Sequence, residues 1–139
     1  MKANMPKGKI YIGLLGLDQH EAGALSVTRM LSDAGLEVVY GGRFNVPGTI
    51  AAAAVDEDVD LIGLSCHSWE YLYYIDDLVA ELAKAGKRIP IVLGGSIITS
   101  RDEAILREKG VAGTFGASST PDQIVLEIMR LVQAARATP

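Results

Sequence analysis

The sequence is poor in the residues that most often announce a function. A single cysteine, Cys66, in 139 residues excludes an intramolecular disulfide framework and suits a reducing compartment. Histidine occurs twice, as His20 and His67, so imidazole chemistry has two candidates. No lysine or arginine cluster stands out among the 13 basic residues, which face 17 acidic ones for a formal net charge of -4. Nucleic acid and anionic membrane surfaces are therefore not expected as partners. No apolar run reaches the roughly 18 residues of a transmembrane helix, and Met1 to Gly8 lacks the apolar core of a signal peptide. The expected location is cytoplasmic.

What is present suffices for a core. Hydrophobic residues make up 49% and charged residues 22%, an ordinary globular balance. This length fits one domain that needs no disulfide or structural metal, expected to span 1–139 with its core at 9–132.

Short apolar runs alternate with helical patterns, which predicts βαβ units and a parallel sheet. Strand 1 is expected at 9–15, followed by a helix at 22–34, where Ala24, Val27, Leu31 and Ala34 share one face. Strand 2 is expected at 37–40, ending in a Gly41-Gly42 turn, and Pro47 opens an alanine-rich helix to Asp58. Leu61-Ile62-Gly63-Leu64-Ser65 reads as a central strand, with a helix at 71–85 after it. Strand 4 is expected at 89–93, leading into Gly94-Gly95. Ser100 to Glu103 reads as a capping box for the fourth helix. A short strand at 113–115 is followed by a second capping signal, Thr120 to Gln123, and a helix faced by Ile124, Val125, Ile128, Leu131 and Val132.

Right-handed crossovers give an α/β, flavodoxin-like, doubly wound sheet of five parallel strands in the order 2-1-3-4-5, with helices on both faces. Ligands in such folds bind at the carboxyl ends of the strands, at the switch between strands 1 and 3. Asp18, His20 and Ser65 are expected there. A carboxylate two residues before a histidine on a short loop can accept a hydrogen bond from one ring nitrogen while the other faces outward, an arrangement suited to metal ligation or proton handling. The other loops at this edge carry no lysine, arginine or carboxylate between Ser65 and Ser68, Gly94 and Ile98, or Gly116 and Thr120. Glycine backbone and neutral hydroxyls suit a bulky, mostly uncharged ligand.

Asp18-x-His20-x-x-Gly23, then Ser65 ending strand 3, then Gly94-Gly95 ending strand 4, resembles the B12-binding domain. The likeness is to the small subunit or carboxy-terminal domain of adenosylcobalamin-dependent mutases of the methylmalonyl-CoA mutase and glutamate mutase kind. Further shared details are Val38-Val39 before the first glycine pair, Asp60 to Gly63 entering strand 3, and Gly110-Val111 before Phe115-Gly116. The resemblance implies a cofactor, adenosylcobalamin, bound base-off with His20 as the lower axial cobalt ligand and Asp18 orienting its imidazole. It implies that Gln19, Glu21 and Gly23 frame that ligand. The displaced tail would enter between strands 1 and 3 beside Ser65, along Gly94, Gly95 and Gly116, with Ser118, Ser119 or Thr120 on its sugar or phosphate; His67, where the family has an apolar residue, is expected to stack on the tail base, point into solvent or contact a partner. A large, barrel-shaped subunit would hold the substrate and be the partner, with this chain inactive alone.

Two departures stand out. Ser65-Cys66-His67 replaces the usual Ser-x-Leu, and Glu21-Ala22 replaces the Asp-Arg of many CoA mutases. Cys66 is expected as a small buried thiol. Trp69, Tyr71, Tyr73 and Tyr74 crowd one segment, too many to face inward together. Two further functions share the resemblance: a corrinoid methyl carrier, expected to have a helical segment before this domain, and a cobalamin-binding sensor without turnover. Response-regulator chemistry is not expected, since strand 3 ends in Ser65 instead of an aspartate.

Overall fold

The computed structural model describes residues 7–15, 21–66, 71–95, 98–116 and 119–137. Five strands, β1 (Lys9–Leu15), β2 (Glu37–Asn45), β3 (Leu61–Ser65), β4 (Ile91–Gly94) and β5 (Val111–Phe115), alternate with helices α1 (Glu21–Asp33), α2 (Pro47–Asp56), α3 (Tyr71–Lys84), α4 (Ser100–Glu108) and α5 (Pro121–Ala137). The strands pair in parallel in the order β2-β1-β3-β4-β5, as the alternation of apolar runs and helical patterns predicts.

Successive strand residues point to opposite faces, so each strand feeds two cores. Ile10, Ile12 and Leu14 of β1, Leu61 of β3, Val92 of β4 and Phe115 of β5 pack with α1 and α5 through Ala24, Leu31, Ile128 and Val132. Tyr11 and Leu15, Ile62 and Leu64, Ile91 and Leu93, and Val111 pack with α2, α3 and α4 through Ile50, Ile75, Leu78 and Leu106. Val111 and Phe115 lie on opposite faces although they are four positions apart. The register explains this: Ile91 pairs with Val111 but Val92 with Gly113, so one extra residue flips the alternation in β5.

The expected end of β2 is corrected. The strand does not stop at Tyr40 but runs through Gly41-Gly42 to Asn45. Its pairing slips instead of turning: Ile12 faces Tyr40, Gly13 faces Gly42, and Leu15 faces Asn45. Gly42, at φ +71°, takes up the irregularity, and a Cβ at Gly41 would overlap the Tyr11 ring and hydroxyl. Tyr11 donates its hydroxyl proton to Asn45 Oδ1, while Asn45 Nδ2 donates to the Leu14 carbonyl at 3.2 Å and the Gly42 carbonyl at 2.8 Å. A buried amide with all three partners within reach stabilises this irregular pairing. Burial also pushes the Tyr11 phenol above its ordinary pKa.

Smaller corrections have equally local causes. The fourth helix is capped by Thr99, one residue earlier than expected: the Asp102 amide donates to Thr99 Oγ1 at 3.2 Å and the Thr99 amide to Asp102 Oδ2 at 3.3 Å. β4 starts at Ile91, because Pro90 has no N–H to pair, and β5 starts two residues early at Val111. The Thr120–Gln123 box forms as expected, with reciprocal bonds of 3.2 and 2.9 Å. In the aromatic segment Tyr74 packs against the α2–α3 core, whereas Tyr73 is exposed.

Charge gathers at the amino ends of the strands. Lys9 Nζ meets Glu57 at 2.8 Å and Glu37 at 3.2 Å, and Asp60 accepts from the Lys9 amide at 2.9 Å and from Arg136 at 3.1 Å. The Lys9 ammonium is held above its usual pKa, chiefly by Glu57. Among the described residues no helix is long and apolar enough to cross a membrane.

Candidate functional site

The carboxyl end of the sheet has a different character, which follows from its register. On the face covered by α1 and α5, side chains line up in rows across the strands. One row reads Ile12, Gly63, Val92, Gly113, and the next, nearer the carboxyl edge, reads Leu14, Ser65, Gly94, Phe115. In the middle of the sheet these rows hold two glycines, a serine and a valine. Helices packed on bulky residues at one end cannot close down on glycine at the other. A cavity of about 580 Å³ results, with Gly63, Ser65, Val92 and Gly94 on its floor and Val27 of α1 and Ile124 and Ile128 of α5 above. This volume is in the range of small-molecule sites.

The cavity is graded along its length. Its inner end is hydrocarbon, from Ile12, Val92 and Ile128, each at most 5% exposed. Its mouth carries hydroxyls and open backbone: Ser65, Ser26, Ser119, Gly23, Gly95 and Gly116. Among the described residues no charged one lines it. Among the described residues the groups whose pKa is displaced, Lys9, Tyr11, Lys84, Glu127 and Arg130, lie outside the lining. The described walls thus offer shape and hydrogen bonding without a proton-transfer group, which is the chemistry of holding a ligand.

The two glycines ending β4 have different roles. A Cβ at Gly94 would meet only the Phe115 carbonyl at 3.8 Å and the Phe115 Cβ at 3.9 Å, ordinary contacts, so the residue is free of crowding and its bareness leaves cavity space. A Cβ at Gly95 would overlap the Cys66 carbonyl. Here the crossing of two chain segments requires glycine: Cys66 N–H donates to the Gly94 carbonyl at 2.8 Å and Gly95 N–H to the Phe115 carbonyl at 3.0 Å. Gly116 is intermediate, with the Ile98 carbonyl 3.3 Å from a Cβ placed there.

Of the residues expected from the sequence, Gly23, Ser65, Gly94, Gly95, Gly116 and Ser119 come together around this one cavity. Asp18, Gln19, His20, His67 and Ser118 lie outside the described residues, and Glu21 begins α1. Cys66 is buried in the core on the α2–α3 side, away from the cavity, as a small apolar thiol would be. Among the described residues no three His, Cys, Asp or Glu side chains form a metal-holding group. Sequence reasoning missed Gly63, Val92, Phe115, Val27, Ile124 and Ile128. Periodicity marks the last three as core, and only strand register reveals that they roof a hollow.

Comparison with known proteins bears on the same stretch. The B12 binding domain family profile matches residues 8–126. The chain is 32% identical over 128 residues to the 2-hydroxyisobutanoyl-CoA mutase small subunit of Aquincola tertiaricarbonis, covering 92% of this chain and 93% of that one. It is 34% identical over 125 residues to ethylmalonyl-CoA mutase of Cereibacter sphaeroides, where the match takes in 89% of this chain but 19% of that protein. Among solved structures, a cobalamin-binding protein from Desulfitobacterium hafniense superposes with a TM-score of 0.77 at 21% identity, over 89% of this chain and 58% of the other, a likeness of fold.

Proposed function

The chain belongs to the B12-binding domain family, and from that premise we propose that it is the cobalamin-binding small subunit of an adenosylcobalamin-dependent acyl-CoA mutase, acting with a separate large subunit that holds the substrate in a barrel. The observation that carries this reading is the neutral cavity at the carboxyl ends of β3 and β4, in a chain matching a mutase small subunit over 93% of that subunit's length. The residues present fit the cofactor. A mostly apolar cleft with bare backbone at Gly94, which a Cβ would begin to fill, suits a flat aromatic tail, and hydroxyls at the mouth suit the attached sugar and phosphate.

His20 would hold the cobalt, and Asp18 would accept a hydrogen bond from its other ring N–H, which would fix the tautomer and raise donor strength. Gln19, Glu21 and Gly23 would frame this pair. Ser65, Gly94, Gly95 and Gly116 would hold the tail, with His67, Ser118 and Ser119 as further contacts. Bound adenosylcobalamin supplies cobalt–carbon homolysis, and the chain supplies binding, orientation and exclusion of water.

Titration of the purified chain with hydroxocobalamin, followed by visible absorption, tests this directly. A base-off, histidine-ligated spectrum is expected, lost in His20→Ala and weakened roughly 10 to 100-fold in Asp18→Asn. Absence of stoichiometric binding would sink the proposal. A pull-down with the bound chain should recover a mutase large subunit; recovery of a methyltransferase instead would redirect the reading to a methyl carrier.

A further inference from the structure

On the reading that His20 ligates cobalt, we infer that Asn45 is a positioning residue for that ligand: it fixes the carboxyl end of β1, from which the chain runs on to Asp18 and His20. Among the described residues Asn45 is the one buried side chain, 7% exposed, that is neither apolar nor aromatic. Both ends of its amide are used, accepting from the Tyr11 hydroxyl and donating to the Leu14 and Gly42 carbonyls. Leu14 is the last residue but one of β1, four positions before Asp18 and six before His20.

Two glycines make room for this network. A Cβ at Gly13 would stand 3.0 Å from Asn45 Nδ2 and 3.0 Å from Tyr11 Cε1, and one at Gly41 would overlap the Tyr11 hydroxyl. The strand pairing gives way to it as well. β1 keeps an unbroken register with β3 from Ile10–Leu61 to Leu14–Ser65, whereas against β2 it slips twice between Ile12 and Leu15. Irregular pairing of this kind bends a strand and re-aims the chain beside a functional site. Hydrocarbon in this corner would bury area but set no direction, because apolar contacts are non-directional. An amide that accepts on one side and donates twice on the other holds one orientation. The corner thus gives β1 a defined exit, which a ligand carried beyond that end requires, since such ligands must be held within about 0.5 Å of their productive geometry.

A double-mutant cycle on the full chain tests this, with hydroxocobalamin titrated by visible absorption into wild type, Asn45→Asp, His20→Ala and the double variant. A carboxylate at position 45 keeps the size of the side chain and still accepts from Tyr11, but it cannot donate to the Leu14 and Gly42 carbonyls. Asn45→Asp is expected to weaken binding about tenfold, the low end of what loss of a group behind a metal ligand costs, and to have no effect once His20 is alanine. Equal losses in both backgrounds would overturn the inference, since Asn45 would then not act through the ligand, and so would an unchanged affinity in the first. Gly13→Ala supplies a second arm that displaces the amide without removing it. Its loss, about threefold, should vanish in the same way, and a loss that persists without His20, or none at all, would count against Asn45 as the peg. Leu93→Ala is the control for destabilisation alone and is expected to show no coupling to His20. Binding by His20→Ala as tight as wild type would overturn the cofactor reading at its ligand and this inference with it, whereas a His20 effect uncoupled from Asn45 would overturn this inference alone.

Discussion

The two faces of the sheet are built from the same strands and do opposite things. Toward α2, α3 and α4, the rows read Tyr11, Ile62, Ile91, Val111 and then Gly13, Leu64, Leu93, Thr114, with large apolar groups in the centre. Toward α1 and α5 the corresponding centre is Gly63, Val92 and then Ser65, Gly94. Shifted by one residue along each strand, the chain changes from filling space to leaving it. The cavity is made by omission, from small residues at the centre of the sheet. The difference also predicts a division of labour: side chains on the filled face carry stability, and bare positions on the hollow face carry binding.

The largest expected effect comes from the filled face. Leu93 is fully buried between Leu64 and Thr114, so Leu93→Ala should lower unfolding free energy by about 2–5 kcal/mol. Urea unfolding measures it. Corrinoid affinity of the folded fraction should stay close to wild type, since Leu93 does not line the cavity. A loss of affinity as large as the loss of stability would break the division between the faces.

Asn45 sharpens the comparison, because it lies on the filled face yet pins the end of β1. Removing its amide leaves the Tyr11 hydroxyl and the Leu14 and Gly42 carbonyls without that partner. Asn45→Ala should cost roughly 1–3 kcal/mol, read as a lower urea midpoint at unchanged slope. Should corrinoid affinity fall by more than about tenfold alongside, the end of β1 would be shown to depend on this peg, and the filled face would reach into binding.

The same network shows where sequence reading stops. Strand order and helix positions were legible, because apolar periodicity and capping residues are local signals. Gly41-Gly42 was not legible as strand interior. Two glycines spell a turn locally, and what keeps them within the strand is a contact between Tyr11 and Asn45, 34 positions apart. The site divides in the same way. Gly23, Ser65, Gly94, Gly95, Gly116 and Ser119 sit at element ends, where a bare or hydroxyl-bearing residue stands out. Gly63 sits inside a strand, and Val27, Ile124 and Ile128 carry the apolar spacing of any core helix. Their shared role depends on register across three strands, which no single segment encodes.

The smallest stability effect should have the opposite sign. Gly23 is the third residue of α1, its φ is not positive, and a Cβ there would meet nothing within 4 Å, so alanine fits the backbone without strain. Gly23→Ala should therefore stabilise the chain by about 0.4–1 kcal/mol, mainly by restricting the unfolded state. Yet Gly23 also lines the mouth of the cavity, where an added methyl takes up ligand space. A raised unfolding midpoint together with weaker cobalamin binding is the expected pair of readings. It would show that glycine is kept at this position against the preference of its own helix, for the space it leaves empty. Stabilisation with unchanged affinity would mean that the hollow ends short of α1, and the mouth would have to be redrawn around Ser65, Gly94 and Ser119.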